Sequence, residues 1–311
     1  MSRVRGSGGF ALVAVLWMLV AVGAAGIAFQ AAARAERRAI ANARDGVRAR
    51  WAAHAGLARV LHALDSTLGR GRLGLDGGAP MGMALPPVQF RLNEIAVRAR
   101  TYDARARVNL NLADERQLVQ LFGSLGLDRP QAVSLSAAVL DWRDPDGVVR
   151  RGGAEAAAYA ARRPPSHPRN GPFTAVAELR GVLGVTPRVY ALVAPHVTVV
   201  GDGRINVNAA SAVVLATLPS LDQAAAAAIL ARRGTGPFRN AFEVLAALPR
   251  QARERIEADP ASFLDRIALS PRELEIEVTA KDGGPSGAGE LRAIVVLEGG
   301  AAVTVAKVEQ W

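Results

Sequence analysis

The sequence predicts an α+β fold in which a long N-terminal helix packs on an antiparallel sheet, with a large helical block interrupting that sheet. Three observations carry the prediction. An uncharged run from Phe10 to Phe29 leads without a break into an Ala- and Arg-rich stretch with helical spacing. Segments with a two-residue period stand before residue 111 and after residue 268, and the apolar pattern between them is helical. A helix and a sheet each expose one apolar face, and packing one on the other buries both.

The apolar run comes first. Twenty residues from Phe10 to Phe29 span about 30 Å as a helix, the hydrocarbon thickness of a bilayer. Three readings compete. A secretory signal would use Ala24, Gly26 and Ala28 as its small-residue cleavage site, although Gln30 to Leu68 continues with helix formers. A plain anchor needs no Gly-Phe step. A prepilin leader would be a short basic peptide ending in Gly9, cut on the cytoplasmic side to leave Phe10 first. Charge does not decide orientation, because Arg3 and Arg5 lie on one side and Arg34, Arg37 and Arg38, against Glu36, on the other.

Beyond the membrane the helix runs on to about Leu68. Ile40, Val47, Trp51, Leu57, Leu61, Leu64 and Leu68 share one broad face, expected to pack on a globular head. Six glycines and a Pro-rich stretch from Gly69 to Pro87 then form a loop. From Val88 the period is two: Ile95, Val97, Ala99 and Thr101 alternate with arginines. After Tyr102-Asp103 the alternation resumes one register on, as Ala104, Ala106, Val108 and Leu110, which reads as a strand pair or a bulged strand. Helical patterning holds from Asn111 to about Ile267, apart from Pro164 to Pro172. Three strands close the chain, around Leu274 to Val278, Ile294 to Leu297 and Val303 to Val308.

Composition narrows the function. The net charge of +10 invites nucleic acid, but all basic residues except Lys281 and Lys307 are arginines, as codon bias would give, and specific nucleic-acid binding is not expected. With no cysteine, disulfides and thiolate metal sites are excluded.

The helical block contains a repeat. Arg107 to Ala113 (RVNLNLA) recurs as Arg204 to Ala210 (RINVNAA), and Gly171-Pro-Phe173 recurs as Gly236-Pro-Phe238. Asn111 and Asn208 are expected to cap the helices that follow them. The stretch from Ile205 to Pro249 resembles the helix-hairpin-helix modules of competence DNA receptors, which hold phosphate on the main chain of a Gly-rich hairpin. Here the hairpin reads Leu218-Pro-Ser-Leu-Asp222, without glycine and with a carboxylate, so a scaffold is the preferred reading. Asp141, Asp144, Asp146 and Gly147, with Glu155, offer oxygen ligands suited to calcium, or form a plain helix-terminal turn; they do not match an EF-hand. His54, His62, His167 and His196 are scattered, no catalytic motif appears, and no enzymatic activity is expected.

Taken together, GGFALVAVLWMLV, RVNLNLADERQLVQLF, AAVLDWRDPDG, GGAEAAAY, GPFTAVAELRGVLGVTP and RINVNAASAVVLATLP make the chain similar to the K-type minor pseudopilins of bacterial type II secretion systems. The resemblance implies a type IV pilin-like fold with an inserted all-α domain containing two helix-hairpin-helix-like modules. The implied segments are a prepilin leader over 1–9, a transmembrane part over 10–33 and a pilin-like first part over 34–110. The inserted domain follows over 111–268, and the C-terminal strands over 269–311. It further implies prepilin peptidase cleavage after Gly9, N-methylation of Phe10, and Ala14 at the fifth mature position, where major pilins carry glutamate. The place implied is the tip of a periplasmic pseudopilus anchored in the inner membrane, with minor pseudopilins I and J and other pseudopilus subunits as partners. No cofactor is required. Calcium is known in this family's insert, with Asp144, Asp146 and Glu155 as the ligands here, although Ala156 stands where the family tends to carry an acid. A type IV pilus minor subunit and a membrane-tethered DNA receptor are the alternatives.

Overall fold

The computed structural model describes residues 8–68, 87–281, 288–298 and 302–310. The loop expected over 69–86 and the turns over 282–287 and 299–301 lie outside the described residues. Helix α1 (Gly8–Leu68) holds 61 residues, about 90 Å of helix, unbroken because no proline interrupts it. Along the chain follow β1 (Val88–Leu92), β2 (Ile95–Asp103), β3 (Val108–Asn109), α2 (Glu115–Ser124), α3 (Arg129–Arg143) and α4 (Ala156–Ala160). Next come α5 (Pro187–Val193), β4 (Val197–Thr198), β5 (Ile205–Asn206), α6 (Ala212–Leu215), α7 (Gln223–Arg233) and α8 (Ala241–Ala247). The chain continues through α9 (Arg250–Ala258), α10 (Pro260–Leu264), β6 (Ile267–Ala268), β7 (Glu273–Lys281), β8 (Ala288–Glu298) and β9 (Ala302–Gln310).

The main sheet has the order β1-β2-β7-β8-β9, antiparallel throughout. Its central strands present Ile95, Val97 and Ala99, then Leu274, Ile276, Val278 and Ala280, then Leu291, Ala293, Val295 and Leu297 to α1. The helical face that meets them overlaps the expected one only in part: Leu57 and Leu64 are buried as expected, with Leu61 packed beside them. Ala52, Ala53, Leu57, Val60 and Leu64 are buried there, whereas Ile40, Val47 and Trp51 are 62%, 42% and 71% exposed. The cause is close approach. A Cβ on Gly56 would stand 2.6 Å from a Val278 methyl, and one on Gly289 would stand 2.5 Å from the Ala49 carbonyl oxygen. Only small residues fit between helix and sheet at this level, so Val47 and Trp51 face away.

The alternation that resumes at Ala104 is not a strand of this sheet. The Asp103 carboxylate accepts the Arg105 N–H at 2.9 Å and starts a 3-10 turn over Ala104–Ala106. The chain then leaves the sheet, and β3 pairs in parallel with β4 inside the helical block. That block builds a second core, separate from the one under α1, around Leu118, Leu121, Phe122, Tyr159, Leu215, Phe238 and Phe263.

The repeat is structural. β3 pairs with β4 as β5 pairs with β6, both in parallel. Asn111 accepts the Phe173 N–H at 2.8 Å and donates to the Phe173 carbonyl at 2.9 Å. Asn208 makes the same two bonds, at 2.8 and 2.9 Å, to Phe238. Neither asparagine caps a helix as expected. Asp114 and Ser211, each three residues further on, accept from Gln117 and Val214 and cap α2 and α6. The asparagines are held back because Asn109 and Asn206 accept their main-chain N–H groups at 2.9 and 3.0 Å, turning each side chain toward its Gly-Pro-Phe partner.

Candidate functional site

Two regions carry the sequence-predicted sites. In the first, Gly9 and Phe10 lie in the first turn of α1, and Ala14 is exposed upon it. Leu12, Leu16, Trp17, Leu19, Ile27 and Phe29 are all more than half exposed, and the helix carries an apolar segment long enough to cross a membrane. Burial in hydrocarbon satisfies such a surface, because every main-chain group is bonded within the helix. The residues before Gly8, including Arg3 and Arg5, lie outside the described residues.

The second region is the turn after α3. Asp141 is fully buried; its carboxylate accepts the Ala154 N–H at 2.9 Å and pairs with the Arg150 guanidinium at 2.7 Å. Asp144 shares the same guanidinium. Asp146 is exposed and accepts the Val148 N–H at 2.8 Å. Glu155 is 4% exposed, yet neither of its carboxylate oxygens completes a hydrogen bond, nor does Oδ1 of Asp144. Burial first, and then the charges of Asp141, Asp144 and Asp146, push the Glu155 carboxyl up from its ordinary range. Among the described residues, no three His, Asp or Glu side chains stand together as a ready metal set. Arg150 neutralises two of the acids instead and leaves Glu155 uncompensated. The orphaned oxygens of Glu155 and Asp144 are acceptors that a cation would satisfy.

The hairpins contradict a phosphate-binding role on their own terms. Between α2 and α3 the left-handed position is Gly126 (φ 90°), and between α6 and α7 it is Ser220 (φ 66°). Two residues on, Asp128 and Asp222 accept N–H groups at the starts of α3 and α7, at 2.8 and 2.9 Å. At each helix start a carboxylate thus takes one of the amides that an anion would use and places its own negative charge there. Arg255 also holds the Ser220 carbonyl and the Asp222 carboxylate.

His196 stands 3.4 Å from Ser211 Oγ, its ring half-buried in a cleft beside Tyr190 and Arg107, whereas His54, His62 and His167 are exposed. Burial and then the Arg107 charge lower its pKa. Ser211 serves as the α6 cap, and among the described residues no carboxylate is bonded to the ring.

Sequence reasoning missed the arginines that close each module. Arg143 donates to the Leu110 carbonyl, and to that of Ala113 at 2.7 Å. Arg233 donates to the carbonyls of Val207 and Ala210 at 3.0 and 2.9 Å. These acceptors are matching positions of the repeat, so the two stretches could have been aligned further, to the arginines that end α3 and α7.

A membrane-spanning helix laid on an antiparallel sheet, with a two-module helical block spliced in, defines a pilin-like chain. Two models of "Type II secretion system (T2SS), protein K" match it in succession, over residues 89–202 and 205–264, together more than half of its length. The chain belongs to the type II secretion system protein K family. A protein K of Klebsiella pneumoniae is 30% identical over 133 residues, which is 39% of this chain and 41% of that one. A protein K of Dickeya chrysanthemi is 32% identical over 193 residues, 53% and 52% of the two chains. The chain thus spans about half the length, or less, of these curated relatives. In fold it matches a chain of the GspK-GspI-GspJ complex from enterotoxigenic Escherichia coli, with a TM-score of 0.66 at 18% identity, covering 89% of this chain and 99% of that one.

Proposed function

We propose that this chain is a non-enzymatic minor pseudopilin at the tip of a type II secretion pseudopilus, starting or capping its assembly for export of folded proteins. In this reading prepilin peptidase cuts after Gly9, Phe10 is N-methylated, and the body lies in the periplasm with minor pseudopilins I and J as neighbours. Membership of the protein K family supports the machine, and likeness in fold to a chain of a GspK-GspI-GspJ complex supports the partners.

The observation that carries the tip position is where the insert leaves the sheet. Gly289, at the Lys281 end of β7, meets α1 at Ala49, while Gly56, a turn and more further along α1, lies between Val97 and Val278. The Asp103 and Glu273 ends of β2 and β7, where the chain departs and returns, therefore point away from the membrane. A block of more than 150 residues on that end obstructs addition of another subunit above. Ala14 agrees, because a carboxylate in lipid without a neighbour's amino terminus would be costly.

Intact-mass analysis of the chain from native membranes tests the processing; a first residue other than N-methyl-Phe10 removes the pilin reading. A crosslinking map of the assembled fibre tests the position, and neighbours found both above and below would refute the tip.

Calcium is a second element of the proposal, favoured by the orphaned oxygens of Glu155 and Asp144. Asp144, Asp146 and Glu155 would hold the ion, which supplies the positive charge that Glu155 lacks and would take Arg150 off Asp144. A calcium-dependent rise in melting temperature, abolished in Asp144→Ala and Glu155→Gln, is expected. No response in the parent chain ends this part of the reading.

A further inference from the structure

Where α1 leaves the hydrocarbon it enters a stripe of arginines. Phe29 ends the apolar run, and Arg34, Arg37 and Arg38 follow, all exposed, about 7 to 14 Å further along the axis. The headgroup layer is about 5–8 Å thick on each side. In a helix each Cα–Cβ bond tilts toward the N-terminus, which here is the membrane side. The three side chains therefore lean back toward the headgroups, and their long stems bring the guanidinium groups down further.

At about 100° per residue, Arg34, Arg37, Arg38, Arg44 and Arg48 fall in one sector of roughly 120°. This sector runs between the small-residue face on the sheet and the exposed face of Ile40, Val47 and Trp51. Arg37 and Arg38 have no ion pair among the described residues, and Arg34 donates only along its own helix, to Gln30 Oε1 at 3.3 Å. Glu36 lies on the far side of the helix. If the body of the chain is outside the cytoplasm, these arginines also oppose the usual bias of basic residues toward the cytoplasmic side. A use for them would offset that opposition.

We propose that Arg34, Arg37 and Arg38 bind the phosphates of anionic phospholipid headgroups, so that α1 carries a local annulus of anionic lipid. The guanidinium fork matches two phosphate oxygens at once. Arg44 and Arg48 lie about 20–30 Å beyond Phe29, more than two Debye lengths at physiological salt, and contribute little. The inference rests on α1 being the membrane anchor, but not on which pilus machine the chain serves.

The full chain is reconstituted in phosphatidylcholine bilayers with a minor share of phosphatidylglycerol, released in mild detergent, and its bound lipid counted by native mass spectrometry. Phosphatidylglycerol is expected to be enriched by about fivefold per arginine site, falling at high salt. The enrichment is expected to vanish in R34Q/R37Q/R38Q, to weaken but remain in R34K/R37K/R38K, which keeps the charge without the fork, and to persist in R44Q/R48Q. Alkaline carbonate extraction measures insertion separately. Release by carbonate overturns the anchor reading and the proposal with it, whereas an inserted chain whose lipid is the same in the parent and the triple Gln variant overturns the proposal alone.

Discussion

The side chain of Asn208 brackets the main chain of Phe238, taking its N–H at 2.8 Å and giving to its carbonyl at 2.9 Å. Asn208 is fully buried and also donates to the Leu269 carbonyl at 2.9 Å. One amide thereby ties the β5 turn to the Gly-Pro-Phe segment and to the return strand. Asn208→Ala leaves several main-chain groups without partners, and unfolding by denaturant is expected to show a loss of about 2–4 kcal/mol. Asn208→Asp is expected to fare little better, having the acceptor but no donor. Asn111→Ala should cost less, since Asn111 is part-exposed and its third contact, to Val199, is 3.5 Å.

Gly289 and Gly56 give a graded prediction for the helix-sheet contact. A methyl group at Gly289 meets the α1 main chain at Ala49 and Arg50, which cannot move without shifting the helix. At Gly56 it meets the methyl groups of Val97 and Val278, which can rotate. Gly289→Ala is expected to destabilise by about 3 kcal/mol and Gly56→Ala by about 1–2, within the usual range for overpacking. Equal losses would show that side-chain relaxation does not distinguish them.

Glu275 joins the sheet to the insert. It is 1% exposed, accepts from Thr198 at 2.6 Å, and pairs with Arg292 at 3.0 Å and Arg107 at 3.3 Å. Glu275→Ala removes the closest carboxylate of Arg292 and the one carboxylate paired with Arg107, leaving Arg292 only Glu309 at 4.0 Å, and is expected to cost about 3 kcal/mol. The loss should shrink markedly when Arg292→Met is added, which a double-mutant cycle on melting would reveal.

Asp103 makes the junction sensitive to pH. Burial pushes its carboxyl up to about 6, although Asn206 and Arg105 bond the charged form. Because the folded value lies above the unfolded one, the folded chain takes up the proton first. This group's contribution therefore grows as pH falls from about 7 toward 4, by at most roughly 3 kcal/mol. Asp114 and Asp222, held low first by main-chain N–H groups and then by Arg266 and Arg255, and Asp202, held low first by Arg105, act in the opposite sense and lose their contribution as pH falls below about 4. A stability maximum in mild acid is expected, and Asp103→Asn should flatten the rise between pH 7 and 5 in melting curves. An unchanged slope would remove Asp103 as its source.

Much of the architecture was legible along the chain. The length of α1 followed from twenty uncharged residues joined to strong helix formers, and the strands β2, β7, β8 and β9 from their alternation. The acidic turn was legible as a group of acids, but not Arg150's place between Asp141 and Asp144, because an ion pair depends on rotamers and burial that spacing does not encode. The resumed alternation at Ala104 misled because a period of two cannot register the single cap, at Asp103, that turns the chain out of the sheet.

By itself the sequence determined the membrane anchor, the split sheet, the repeated modules and the family, since each is written in local periodicity or in extended motif similarity. Only the tertiary structure decided which face of α1 is buried and what Asn111 and Asn208 hold. Hydrophobicity alone favours Ile40, Val47 and Trp51 for the core as much as Leu57 and Leu64, but the close contacts at Gly56 and Gly289 leave no room for a side chain at either glycine, and the helix meets the sheet there through Ala49, Ala52 and Ala53. The asparagines likewise choose partners more than 25 residues away, a choice set by how two chain segments meet in space.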